Sequence, residues 1–343
     1  MNTYYSPFNS NEDENDAFRR QMYCLARAKE ERRQIRHLGN LMGVSVLCFV
    51  GVQIILSFII YSNSTITSLY ENSSVFQYCL NIIGVEFFAL VVPFSVMALF
   101  NKKKYGGDLI PSKRIKGSEL CLWVGFGMLC CVGADYIVGL LSMLSENMGY
   151  ELTQSESIEP DSVVACALEL IATAVVPAVC EEFAMRCCSL GLLKKHGKAF
   201  GVIAVSIVFG LIHGNIIQFI FATVVGLILG YLTVKTDSIV PAILVHGLNN
   251  SMSALASIFV LAFGEKAEDI STYAFFGFWI AAGLISTVIL ALRKKLSFKL
   301  DAKNREPYAN SLGQKVGAFI SSPVLIISSL YLIYCVIASI NKI

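Results

Sequence analysis

The chain has 343 residues, of which 55% are hydrophobic and only 15% charged, with a mean hydropathy of +0.63 and a formal net charge of +2. Soluble globular domains carry roughly 25% charged residues, so this balance excludes an ordinary water-soluble domain. The net charge by itself points to no nucleic-acid or acidic partner, and none is expected.

Several apolar runs reach about 20 residues, the length that crosses a bilayer as a helix. They do not alternate polar and apolar positions, which rules against a barrel. Residues 1–37 are polar, acidic at Glu12, Asp13, Glu14 and Asp16, then basic at Arg19, Arg20, Arg27, Lys29, Arg32, Arg33 and Arg36. A solvated, partly disordered tail that signals topology is the favoured expectation. The other reading is a helix over 16–37 lying on an anionic membrane surface.

Spans are expected at 38–62, 79–100 and 120–145, then an unusually long one at 162–193. A short fifth span, 199–213, stops at His213-Gly214. Further spans follow at 215–234, 239–262, 273–292 and 316–340. The fold class is all-α: a polytopic transmembrane bundle of about eight or nine spans. Pro93, Pro177, Pro241 and Pro323 lie inside or at the edges of spans. They are tolerated there when neighbouring helices satisfy the freed carbonyls. The cysteines show no CxxC or zinc spacing and fit small apolar residues in membrane helices.

Lys and Arg cluster in the N-terminal tail, in 101–117, in 194–198, at Lys235 and in 293–315, the last including Lys303 and Arg305. The segments 63–78 and 146–161 contain neither. The positive-inside rule places the first set, and with it the N-terminus, in the cytoplasm. Lys266 is the weak exception. Sequons at Asn63 and Asn72 then face outward.

Ionisable residues inside apolar spans are costly, about 2.5–3.5 kcal/mol at a helix centre on insertion scales, and are functional candidates by default. Here they are Glu86, Asp135, Glu169, Glu181, Glu182, Arg186, His213 and His246. Glu182 and Arg186 are four apart and share a helix face, so they can pair. Glu181 is turned by about 100° from Glu182. It can therefore face a cavity while its neighbour faces Arg186, an arrangement that suits a general base acting on water. His246 and Asn250 are also four apart, and both can donate hydrogen bonds to an oxyanion in a dry site. Bland readings stand beside these: a structural ion pair for Glu182 and Arg186, packing hydrogen bonds for His246 and Asn250, and a helix-end cap for His213. Glu86, Asp135 and Glu169 fit a structural role or a wet cavity. His37 and His196 fall in basic loops and are expected to be solvated.

The motifs EExxxR (Glu181-Glu182 to Arg186), FxxxH (Phe209 to His213) and HxxxN (His246 to Asn250), each on its own apolar span, resemble the CPBP family of intramembrane proteases. That family takes in the CAAX-processing Ras-converting endopeptidase and many bacterial proteins described as Abi-domain or bacteriocin-processing. The resemblance covers roughly residues 160–262. It divides the chain into a tail (1–37), N-terminal spans (38–159), a catalytic core (160–262) and C-terminal spans with a basic loop (263–343).

The resemblance implies peptide hydrolysis: Glu181 as catalytic glutamate, Glu182 and Arg186 as its supporting pair, His213 holding the water, and His246 and Asn250 stabilising the oxyanion. No cofactor is required in the favoured reading. A zinc-dependent metalloendopeptidase is the alternative, with Glu181, His213 and His246 as ligands, although no HExxH is present. The expected partners are a peptide or membrane-protein substrate and the lipid bilayer, in a bacterial plasma membrane. Two other classes remain: a non-proteolytic scaffold or bacteriocin-immunity protein of the same fold, and a transporter, against which the lack of repeated halves speaks.

Overall fold

The fold is seen in a computed structural model that describes residues 10–105, 109–153, 158, 160, 162–264, 266–301 and 309–342. Lys303 and Arg305 lie outside the described residues. Eleven helices follow one another among those described. They are α1 (Ser10–Tyr61), α2 (Ser64–Asn72), α3 (Ser74–Lys103), α4 (Gly117–Asn147), α5 (Val163–His196) and α6 (Lys198–Leu211). Then come α7 (Ile216–Thr236), α8 (Val240–Phe263), α9 (Lys266–Leu292), α10 (Leu312–Ile320) and α11 (Pro323–Ala338). In lipid a run of apolar residues must satisfy its own backbone, and the helix does so within one segment.

Seven of these helices are long and apolar enough to cross a membrane, and the bent pair α10–α11 makes up to eight. The chain is a polytopic integral membrane protein. Two expectations change in detail. The fifth expected span is the 14-residue α6, about 21 Å long, shorter than a hydrocarbon core of about 30 Å. The ninth is broken by 75° where Pro323 opens α11, because proline cannot continue the hydrogen-bonded ladder of α10. The tail also differs from expectation. Residues 10–37 are neither disordered nor a separate surface helix but the first part of α1, which runs unbroken to Tyr61.

The helices enclose two apolar cores. One joins α1, α3, α5, α6, α10 and α11 around Met42, Phe94, Met185 and Phe209. The other joins α4, α7, α8 and α9 around Trp123, Met128, Leu229 and Val245. Small residues set the closest approaches. A Cβ on Gly43 would overlap the backbone of Val324 and Leu325, which fixes α11 against α1. A Cβ on Gly283 would overlap Leu129 and the Gly125 carbonyl, which fixes α9 against α4. Asn40 completes the first seam: its Oδ1 accepts from the Val324 amide at 3.0 Å, at the start of α11.

The loops sort to two ends. At one, Lys113 N donates to the Asp237 carbonyl and Ile239 N to the Pro111 carbonyl. Asp301 takes the Lys198 and Ala199 amides, and Lys295 pairs with Glu119 at 2.7 Å. These contacts join residues in or next to the Lys/Arg-rich segments. At the other end, strand β1 (Tyr150–Leu152) pairs antiparallel with β2 (Ile340–Lys342), Tyr78 reaches the Ile158 carbonyl, and Ile216 N donates to Ser339 Oγ.

Candidate active site

Three stretches of π-helix interrupt α3 and α5. They are Asn81–Val91 in α3, and Leu170–Val175 and Phe183–Ser189 in α5. Two of them end two residues before a proline, Pro93 and Pro177. A proline removes one backbone donor and clashes with the carbonyl four residues earlier, and a wider turn accommodates it. Such bulges occur often at functional sites. Glu86 lies in the first stretch, Glu181 and Glu182 lie between the second and third, and Arg186 lies in the third.

Pro177 has no N–H to offer the Thr173 carbonyl. Asn250 Nδ2 donates to that carbonyl at 3.1 Å, across the seam between α8 and α5. The carboxamide expected to face an oxyanion thus has one donor hydrogen committed to backbone. Its second remains.

The acidic pair behaves as its spacing implies. Glu182 is fully buried, while Glu181 is 14% exposed. Arg186 Nε lies 3.0 Å from Glu182 Oε2, close but out of line for a hydrogen bond. Neither terminal nitrogen of the guanidinium has a hydrogen-bond partner among the described residues. Its carbon stands 5.3 Å from the centre of the Phe209 ring, a cation–π contact in a dry setting.

His246 joins the two glutamates. It sits on the second turn of α8, behind Pro241 at the helix start. Its Nδ1 lies 3.1 Å from Glu182 Oε1 and its Nε2 3.7 Å from Glu181 Oε2. A carboxylate only accepts, so Nδ1 is the donor to Glu182, and Nε2 is the nitrogen turned toward Glu181. The second distance is too long for a hydrogen bond and suits one bridging water.

His213 follows the last turn of α6. Gly214, at φ +71°, turns the chain back, and Asn215 caps α7 by accepting from Gln218 N at 2.9 Å. His213 Nδ1 is 2.7 Å from the Phe209 carbonyl. A carbonyl only accepts, so Nδ1 of His213 is the donor in this contact. Phe209 is the hub the sequence reading left unexplained. Its ring meets both imidazoles edge to face, with centroids 5.0 and 6.0 Å away, and its face takes Arg186.

Glu86 is 6% exposed, and its α3 stretch packs on the part of α5 that carries Glu181. Glu169 accepts from Ser257 Oγ at 3.3 Å, and Asp135 is partly exposed on α4. Neither belongs to the cluster. His196, expected to be solvated, is buried at the basic end beside Glu31. Among the described residues no three His, Cys, Asp or Glu side chains form a group that could hold a metal ion.

The site lies on the seam between the two cores: α5 and α6 come from one, α8 from the other. An acid, an oriented imidazole and a carboxamide thus come together where α5 and α8 meet. Residues 163–252, from the start of α5 to just past Asn250, match the model of the family described as Rce1-like, type II CAAX prenyl endopeptidase. The match contains all three motifs and agrees with the resemblance drawn from them. No curated protein matches the chain, and no solved structure does.

Proposed function

We propose that this protein is an intramembrane endopeptidase in which Glu181 activates water against a peptide carbonyl. The carrying observation is that His246 stands between both glutamates, oriented by Glu182 and facing Glu181. The sequence reading gave the water to Glu181 and His213, and the geometry favours Glu181 and His246. A water between Glu181 Oε2 and His246 Nε2 donates one hydrogen to each. Glu181 takes its proton as the water oxygen bonds to the carbonyl carbon. The remaining Nδ2 hydrogen of Asn250 faces the developing oxyanion. The C–N bond then breaks as Glu181 returns the proton to the leaving amine. No step is routed through a metal. Glu182 and Arg186 act by holding the imidazole, as a buried acid orients histidine in other hydrolases. Arg186 is in turn held over Phe209. We assign the Lys/Arg-rich end, and the N-terminus with it, to the cytoplasm.

The test is cleavage of an apolar peptide by the purified protein in detergent or proteoliposomes. Glu181→Ala and His246→Ala are expected to lose activity by about 100-fold or more while still inserting and purifying as wild type does. Normal cleavage by Glu181→Ala removes the proposal. Equal biological activity of wild type and Glu181→Ala in cells supports the scaffold reading instead.

A further inference from the structure

Glu86 has no part in the steps above, yet its helix packs on the part of α5 that carries Glu181. Its Oε2 is buried without a hydrogen-bond partner among the described residues, and so is Glu181 Oε2. The two come from adjacent packed helices. A buried unsatisfied oxygen is costly to leave, and two on helices packed against each other can be served by one partner. A buried water typically makes about three hydrogen bonds to such groups. His246 Nε2, 3.7 Å from Glu181 Oε2, supplies the third.

We propose that Glu86 is the third wall of the water site: one water sits among Glu181 Oε2, His246 Nε2 and Glu86 Oε2, and Glu86 donates a hydrogen bond to its oxygen. This rests on the reading of Glu181 as the base. Two neighbouring carboxyls in a dry site share a proton rather than both ionise. A proton held on Glu86 makes it a donor. Both hydrogens of the water are then free for Glu181 and His246, and its oxygen is aimed by the acid opposite. During attack Glu86 keeps its proton, and the water proton passes to Glu181. The π-helical stretch explains how a chain flanked by apolar residues sets this carboxyl into the seam.

The experiment compares Glu86→Gln and Glu86→Met with wild type and Glu181→Ala in one peptide-cleavage assay, with thermal unfolding measured alongside. Glutamine keeps a donor at the same reach and is expected to hold kcat within about threefold of wild type; methionine keeps the volume and loses the donor, and kcat is expected to fall about tenfold or more with KM little changed. Should Glu86→Met not fold, Glu86→Asp draws the acid back by one methylene and is expected to lower kcat in the same way. Full kcat in a folded Glu86→Met or Glu86→Asp protein overturns the inference. So does a Glu86→Gln loss as deep as that of methionine. If Glu181→Ala is inactive while Glu86→Met is fully active, only this inference fails. If Glu181→Ala is itself active, the hydrolase reading fails first.

Discussion

Two clusters in this molecule are made from the same parts, a glutamate, a histidine and a cation, yet they are finished differently. At the basic end, Glu31 Oε1 meets Lys315 Nζ at 3.1 Å and His196 Nδ1 at 3.7 Å, while Oε2 accepts from Asn310 at 2.7 Å. Asn310 is used again by the Ala28 carbonyl and by Arg32, and Lys315 also donates to the His196 carbonyl. Only His196 Nε2 is left without a partner. In the seam cluster, both terminal nitrogens of Arg186 and one oxygen each of Glu86 and Glu181 have none among the described residues. A closed network fastens α1, α5 and α10 together. On the proposed function, an open one keeps polar groups ready for water and a substrate carbonyl. Buried polar groups kept partly unsatisfied are costly, and such costs gather at functional sites.

The largest way to break the comparison is Arg186→Met. It strips the only guanidinium from a fully buried glutamate. Removing one partner of a buried pair costs about 3–5 kcal/mol, because the other is left as an uncompensated charge. Thermal unfolding in detergent should show that loss, together with loss of cleavage. Adding Glu182→Leu should recover most of the stability, since apolar replacement of a buried pair is often neutral, but none of the activity. A protein with Arg186→Met alone that stays as stable as wild type would mean that Glu182 is already neutral.

A middle effect tests the link between Pro177 and Asn250. Asn250→Ala leaves the Thr173 carbonyl unsatisfied in the seam, at a cost of about 1–3 kcal/mol. Pro177→Ala restores an N–H to that region, so the double variant should regain part of the loss. Strict additivity of the two substitutions would show that the asparagine is not serving the carbonyl that the proline freed.

How far the sequence led follows from the same residues. Helix identity was legible because bilayer crossing demands length and hydropathy, and the ends of most spans lie close to the expected ones. The break at Pro323 was visible as a proline but not as a bend, since proline only forbids continuation and packing decides the angle. The helical start of α1 was missed because its polar residues carry no apolar periodicity, and Glu31 and Arg32 are held by partners almost 280 residues away in sequence. Within the site, i,i+4 spacing showed Glu182 with Arg186 and His246 with Asn250, since a helix enforces it. Which imidazole meets Glu181 depends on how α6 and α8 pack, and spacing does not carry that. Glu86 was singled out as an ionisable residue in an apolar run, but that its stretch packs on the part of α5 carrying Glu181 follows from tertiary contact, which spacing does not carry. Phe209 was seen as part of a motif with no role, because an aromatic face shows its use only once a guanidinium lies on it.

The smallest effect is expected at the basic end, and it completes the comparison. Glu31 is about a quarter exposed, and Lys315 about a sixth. Water and salt reach this cluster, so its ion pair contributes little beyond about 1 kcal/mol. Glu31→Ala should lower stability by about that amount, with an effect that shrinks as ionic strength rises, because partly exposed charges are screened over about 10 Å at 0.1 M salt. Cleavage should stay within about twofold of wild type, since no group here touches the seam. Lys315→Ala should repeat the loss, and the double variant should lose less than the sum of the two, since the pair is shared. The seam cluster is expected to respond in the opposite way. Arg186 is buried beyond the reach of counterions, so the cost of Arg186→Met should be nearly independent of salt. If salt moves both variants equally, the two clusters share one dielectric setting. The contrast between a closed clasp in water and an open site in lipid would then be lost.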